Sequence, residues 1–76
     1  MSIEAELQHY IATEIVLADV RLDEPLISSG RVDSMGLLQI LSHVDERYGV
    51  SLLAAGSPAD FESVSSLAAA IRAASK

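Results

Sequence analysis

Residues 34–49, Ser-Met-Gly-Leu-Leu-Gln-Ile-Leu-Ser-His-Val-Asp-Glu-Arg-Tyr-Gly, are the most strongly patterned stretch of the chain. Their apolar side chains recur at intervals of four, three and four residues, which is the spacing of one face of an α-helix. These side chains are Leu37, Leu41, Val44 and Tyr48. Ser34 is a favoured N-cap residue, and Gly49 is a usual C-terminal stop. The stretch predicts a helix from Ser34 to Tyr48, with the apolar face toward the core.

The N-terminal segment has the same helical spacing. Ile3, Leu7 and Ile11 recur every four residues, and Ser2 stands before them as a good N-cap. We therefore expect a first helix from about Ile3 to Val16.

The segment from Ala18 to Asp33 has no regular spacing and contains the turn signals Asp23-Glu24-Pro25 and Ser28-Ser29-Gly30. Loops of this length are usually functional or are pinned by their own side chains. Its candidate pins are Leu22, Leu26, Ile27 and Val32.

Two helical signals follow the central stretch. Ser57-Pro58-Ala59-Asp60 has the serine, proline and acid that start a helix, and it predicts one short turn or helix. A last helix is expected from about Ser66 to Ala74. Strand-like alternation is absent from the sequence. We therefore predict an all-α fold, a small four-helix bundle of three main helices plus one short helix, with residues 1–76 forming one domain.

Composition excludes several classes of function. The chain has 76 residues and no cysteine, so it can form neither disulfides, nor cysteine zinc sites, nor a thiolate nucleophile. Eleven acidic and five basic residues give a net charge of −6, which opposes binding to nucleic acid or to an anionic membrane and favours a basic protein partner. The longest apolar run has five residues, far fewer than the roughly 20 of a membrane span. We expect a soluble, cytoplasmic monomer.

Ser34 admits two interpretations from the residues alone. A serine at a helix N-terminus is usually a cap. The same position also suits a covalently attached phosphate, because free backbone N–H groups and the helix dipole stabilise anionic oxygens there. The outward face of the predicted helix follows, and it carries Met35, Gln39, Ser42, His43 and Glu46.

A serine hydrolase and a metal site are both disfavoured. His43 lies nine residues after Ser34, on the other side of the helix and roughly 13 Å along it, so it cannot act as the base of that serine. His9 falls on the polar side of the first helix. The two histidines have no paired spacing, and the acids are scattered along the chain, so no metal-ligand cluster is evident.

Residues 26–41, Leu-Ile-Ser-Ser-Gly-Arg-Val-Asp-Ser-Met-Gly-Leu-Leu-Gln-Ile-Leu, resemble the acyl and peptidyl carrier protein family. Tyr48-Gly49-Val50 and the stretch from Asp60-Phe61-Glu62-Ser63-Val64 to Ile71 match as well, so the resemblance covers nearly the whole chain. An Asp-Ser pair alone is a weak signal. Its place at the start of the second helix of a small acidic helical chain makes it specific.

The resemblance implies a non-catalytic carrier. In that family the serine after the aspartate bears 4′-phosphopantetheine, installed from coenzyme A by a magnesium-dependent phosphopantetheinyl transferase. By this resemblance Ser34 is the attachment residue and Asp33 is the acid of the motif. Met35 is the apolar residue that the transferase and partner enzymes contact. The arm ends in a thiol that holds an acyl or aminoacyl cargo as a thioester. An activating ligase would load the cargo, and a downstream enzyme would accept it.

The chain departs from the fatty acid synthesis carriers in its charges. Those carriers have a strongly acidic second helix, whereas net charge here is −5 over residues 1–33 and −1 over residues 34–76. The matching partner face is Met35, Gly36, Gln39, Ser42, His43 and Glu46. This pattern looks more like the discrete carriers that serve adenylate-forming ligases in specialised biosynthesis. The alternative is an unmodified interaction module that docks a partner helix through the region of Met35 and Ile40.

Overall fold

The computed structural model describes residues 2–74, and the predicted all-α fold is confirmed. Its helices are α1 (Ile3–Tyr10), α2 (Ser34–Tyr48), α3 (Leu52–Ala55) and α4 (Val64–Ala74). A π-helical turn, Ile11–Ile15, follows α1, and a 3-10 turn, Pro58–Phe61, precedes α4. Residues 2–74 contain no strand. Met1, Ser75 and Lys76 of the predicted domain lie outside the described residues.

The first predicted helix is present, but its geometry changes halfway. Ser2 caps α1 as expected, because its hydroxyl accepts a hydrogen bond from the Ala5 N–H at 3.1 Å. After Tyr10 the backbone widens into the π turn, in which the Val16 N–H donates to the Ile11 carbonyl at 2.8 Å. The predicted end at Val16 is therefore correct to within one residue.

A left-handed residue ends the π turn. Leu17 has φ +61°, and the Ala18 N–H then donates to the Ala12 carbonyl at 3.1 Å. Glycine is the usual residue in this conformation, since a Cβ is crowded there. The Leu17 side chain is 77% exposed, so packing does not offset the strain.

The second half of the chain follows the sequence signals closely. α2 has the predicted bounds and ends at Gly49, whose φ is +70°. The short element at Pro58 is confirmed, and the Ser57 N–H donates to the Asp60 carboxylate at 2.9 Å. α4 begins at Val64, two residues before the predicted start. The one-turn helix α3 was not predicted, because four residues are too few to show a helical period.

The core is aliphatic. Its buried side chains come from every helix and from the long loop, and they are Leu7, Ile11, Val20, Leu26, Val32, Ile40, Leu41, Val44, Val50, Leu52, Val64, Leu67, Ala68 and Ile71. Leu37 and Tyr48, predicted to face the core, are partly buried against it. Ile40 is also in the core, with 1% of its surface exposed, so its predicted place beside Met35 in an exposed docking region is wrong.

Charged side chains tie α1 to the helices on either side. The Glu6 carboxylate accepts hydrogen bonds from Arg47 at 3.1 Å and from the Tyr48 hydroxyl at 3.2 Å, both on α2. The Glu4 carboxylate accepts two hydrogen bonds from the Arg72 guanidinium of α4, one of them at 2.6 Å. The Arg72 contact lowers the pKa of Glu4 to about 2. These contacts span about 40 and 70 residues of sequence, so they help to fix the bundle topology.

The strain at Leu17 predicts that Leu17→Gly stabilises the protein. Relief of the left-handed strain, about 1–2 kcal/mol, exceeds the added chain entropy of glycine, roughly 0.5–1 kcal/mol. The free energy of unfolding in urea should therefore rise. Leu53→Gly is the matched control, since Leu53 is also exposed but lies in α3 without a positive φ, and it should lower stability. A loss of stability in Leu17→Gly would contradict the strain at this residue.

The Glu4–Arg72 contact predicts acid sensitivity. Because the folded pKa of Glu4 is about 2, below the ordinary 4.5, its contribution is present above pH 4.5 and is lost as pH falls toward 2. Glu4→Gln should lower stability at pH 7 and flatten the decline of stability below pH 4.5, as measured by urea unfolding across pH. Glu46→Gln removes a carboxylate that accepts no hydrogen bond within residues 2–74 and should leave both quantities nearly unchanged.

Candidate functional site

The loop that leads into α2 is held by backbone hydrogen bonds to the far end of the chain. The Leu22 carbonyl accepts from the Ser65 N–H at 2.9 Å, and the Leu26 N–H donates to the Glu62 carbonyl at 2.6 Å. The Leu26 carbonyl then accepts from the Val32 N–H at 3.0 Å. The loop is thereby held to Glu62, just before α4, and to Ser65 in the first turn of α4.

Two glutamate side chains also form hydrogen bonds to residues of this loop. Glu62 accepts from the Ser28 hydroxyl at 2.6 Å and from the Ser28 N–H at 3.0 Å, and these bonds lower its pKa. Glu24 accepts from the Arg21 N–H at 2.6 Å and pairs with the Arg31 guanidinium, and these two contacts, in that order, lower its pKa as well. Each carboxylate thus holds the loop through backbone and side-chain donors together.

The predicted hydrophobic pins are mostly confirmed. Leu26 and Val32 are buried, and Ile27 is partly buried against the core. Leu22 is 40% exposed, so its assignment as a pin is wrong. Its carbonyl, which bonds to the start of α4, anchors the loop at that residue instead.

Asp33 is the N-cap of α2. Its carboxylate Oδ1 accepts from the Gly36 N–H at 2.8 Å, and its backbone carbonyl accepts from the Leu37 N–H at 2.9 Å. The cap therefore lies one position earlier than the predicted Ser34, which is instead the first helical residue. The cap interpretation of Ser34 is therefore wrong: aspartate and serine are comparable caps, and the chain leaves the loop in extended geometry at Asp33.

The Ser34 side chain therefore does not cap α2. It is exposed, and its hydroxyl makes no hydrogen bond to any residue from 2 to 74. The N–H groups of Ser34 and Met35 are likewise without acceptors in this part of the chain. A phosphate on the Ser34 oxygen would lie at the positive end of a 15-residue helix, beside unpaired N–H donors that favour an anion.

An apolar patch adjoins Ser34. Met35 is 70% exposed, as predicted, and Leu38 is 54% exposed one turn further along α2. Gln39, Ser42 and Glu46 are exposed too, in agreement with the predicted outward face. Sequence reasoning missed Leu38, although its distance of three residues from Met35 places it on the same side of the helix.

His43 and Gly36 lie deeper than the sequence indicated. His43 is half-buried, and its ring stacks on Tyr10 of α1 with a centroid separation of 3.8 Å and an angle of 7° between planes. Gly36 is half-buried between the π turn and the loop. Of the predicted partner face, these two residues serve internal packing, whereas Met35, Gln39, Ser42 and Glu46 remain accessible.

A shallow groove of about 640 Å³ runs between α1 and α2 next to the apolar patch. Its lining residues are Tyr10, Glu14, Met35, Leu38, Gln39, Ser42, His43 and Glu46. Burial, followed by the charges of Glu14 and Glu46, raises the pKa of Tyr10. Sequence reasoning missed the contributions of Tyr10 and Glu14, because they depend on how α1 packs against α2.

The geometry offers no hydrolytic dyad or metal centre in the described part of the chain. His43 faces Tyr10, His9 is exposed on α1, and neither is hydrogen-bonded to Ser34. Residues 2–74 bring together no group of three or more histidine, aspartate or glutamate side chains that could hold a metal ion. In the same range, none of the helices has the length and apolar character needed to cross a bilayer.

Comparison of the chain with protein-family models and with curated proteins gives no match in either case. The assignment of a function therefore depends on the residues at the start of α2 and on their geometry.

The cap geometry predicts different effects of two adjacent substitutions. Asp33→Ala removes the acceptor of the Gly36 N–H and should lower the free energy of unfolding by about 0.5–2 kcal/mol. Ser34→Ala removes a hydroxyl without a partner in the described chain and should change stability by less than about 0.5 kcal/mol. Urea unfolding of both variants checks this. An equal or larger loss in Ser34→Ala would mean that Ser34 is the cap.

Proposed function

We propose that this chain is an acyl or aminoacyl carrier protein that holds its cargo as a thioester on 4′-phosphopantetheine attached to Ser34. The observation that carries the proposal is the exposed Ser34 hydroxyl at the start of α2, with the capping task assigned to Asp33. This arrangement agrees with the resemblance of residues 26–41 to the carrier family. The protein itself would catalyse no reaction.

The residues present fit the covalent group. Attachment requires an accessible hydroxyl, and the phosphodiester that forms carries a negative charge, which the unpaired N–H groups of Ser34 and Met35 and the helix dipole favour. In the transfer the Ser34 hydroxyl gives up its proton and its oxygen bonds to the phosphorus that bears pantetheine. The P–O bond of the coenzyme A pyrophosphate breaks, and adenosine bisphosphate leaves with the bridging oxygen. The arm supplies the thiol that this cysteine-free chain lacks.

The accessible surface beside Ser34 suits the transferase, an activating ligase and a downstream acceptor enzyme. Met35 and Leu38 offer an apolar contact. Glu14 and Glu46, on the rim of the groove, form no ion pair within residues 2–74, because the arginines of that range pair with other carboxylates. A partner surface that combines an apolar contact with basic residues would match this region.

A second candidate function is an unmodified interaction module that docks a partner through α2. The exposure of Met35 and Leu38 on one side of the helix favours it. The burial of Ile40 moves such a docking surface toward Leu38 and the groove. Under this alternative, binding would need Met35 and Leu38 but would need neither Ser34 nor coenzyme A.

Incubation with coenzyme A, magnesium and a broad-specificity phosphopantetheinyl transferase tests the proposal. We expect intact-mass spectrometry to show one added phosphopantetheinyl group on the wild type and none on Ser34→Ala. Ser65→Ala is the control, since Ser65 is an exposed serine on α4 outside the predicted partner face and the groove, and it should be modified like the wild type. An unmodified wild type, or equal modification of Ser34→Ala, would overturn the proposal.

A further inference from the structure

Three parts of the chain pack closely around Gly36, which has no side chain. A Cβ at this position would lie 3.1 Å from Ile15 Cγ2, 3.3 Å from Val32 Cγ1 and 3.4 Å from Asp33 Oδ1. Ile15 belongs to the π turn, Val32 to the loop, and Asp33 is the cap of α2. Because Gly36 has no Cβ, these groups approach the first turn of α2 more closely than they could with any other residue at position 36.

The contact depends on the unusual geometry after α1. The π turn, Ile11–Ile15, presents Ile15 toward the first turn of α2. Ile15 is β-branched, so its methyl Cγ2 has little freedom to move aside. Val32 is buried and is held by the hydrogen bond from its N–H to Leu26. The two aliphatic neighbours of Gly36 are thus stiff.

Helix propensity alone would disfavour glycine at this position. Glycine inside a helix costs about 1 kcal/mol relative to alanine. Its φ at position 36 is an ordinary helical value, so backbone conformation does not require it. Close packing against Ile15 and the cap supplies the physical reason for its presence.

We propose that Gly36 and Ile15 are positioning residues for the modification of Ser34. Their contact clamps the first turn of α2 between the π turn and the loop, and it fixes the orientation in which Ser34, two residues away, meets the transferase. This inference rests on the function proposed above and assigns to Gly36 an internal role in place of its predicted role in partner binding.

Substitutions on both sides of the contact test the clamp. Gly36→Ala adds the crowding methyl, and Ile15→Ala removes the side chain that packs on Gly36. Each should lower the kcat/KM for phosphopantetheinyl transfer to this protein by roughly tenfold, because small displacements of a reacting group are costly to rate. In the double variant the new methyl loses its closest contact, with Ile15 Cγ2 at 3.1 Å, and keeps the one with Val32 Cγ1 at 3.3 Å, so kcat/KM should recover in part and rise above that of either single variant.

Two controls separate positioning from stability. Ile15→Val removes only the Cδ1 methyl and keeps the branched Cβ and the Cγ2 methyl that meets Gly36, so it should be modified at nearly the wild-type rate. Ser65→Ala changes helix propensity on α4, outside the predicted partner face and away from the contact, and it should also behave like the wild type. Amide hydrogen exchange at Gly36 and Leu37, whose N–H groups donate to Asp33, gives a readout independent of the transferase, and both disruptive single variants should exchange faster there than the wild type.

The outcomes distinguish the two proposals. Wild-type rates and exchange in Gly36→Ala and Ile15→Ala would overturn the clamp while leaving the carrier function intact. Slow single variants without recovery in the double variant would also overturn it, since the contact would then not be the cause. If the wild type accepts no phosphopantetheine, the carrier function fails, and the exchange measurement still decides whether the contact holds the first turn.

Discussion

The hydrogen bond from the Gly36 N–H to the Asp33 carboxylate fixes where α2 begins, and the position of Ser34 follows from it. Because Asp33 closes the first turn, Ser34 becomes the first helical residue with an exposed hydroxyl. The same bond draws Gly36 against the cap, where Ile15 and Val32 pack on it. One side-chain acceptor thus determines the helix start, the accessibility of Ser34 and the packing beneath it.

A small chain without disulfides must hold a long irregular loop by other means. Here Glu62 and the start of α4 bind the loop at Ser28, Leu26 and Leu22, so that residues distant in sequence support the segment before Ser34. Most of these bonds use backbone groups. The net charge of −6 is compatible with this arrangement, since Glu24 and Glu62, which hold the loop, are paired with donors, and the exposed Glu14 and Glu46 line the groove.

The sequence predicted α2 well because its apolar period is long and Gly49 ends it. It did not predict the π turn or α3, since segments of four or five residues show no period and their geometry depends on tertiary contacts. Asp33 and Ser34 are both good caps, and the loop geometry decides between them. The position of His43 could not be predicted, because it depends on Tyr10 across the interface with α1. The carrier function itself stays a prediction.

The most direct measurement is to map the modification on the protein isolated from its own cells. Trypsin cleaves after Arg31 and Arg47, and it releases residues 32–47 as a peptide that contains Ser34 and Ser42. Fragmentation of this peptide by mass spectrometry should place one phosphopantetheinyl group on Ser34 and leave Ser42 unmodified. A peptide without the group, or with the group on Ser42, would contradict the assignment of Ser34 as the carrier residue.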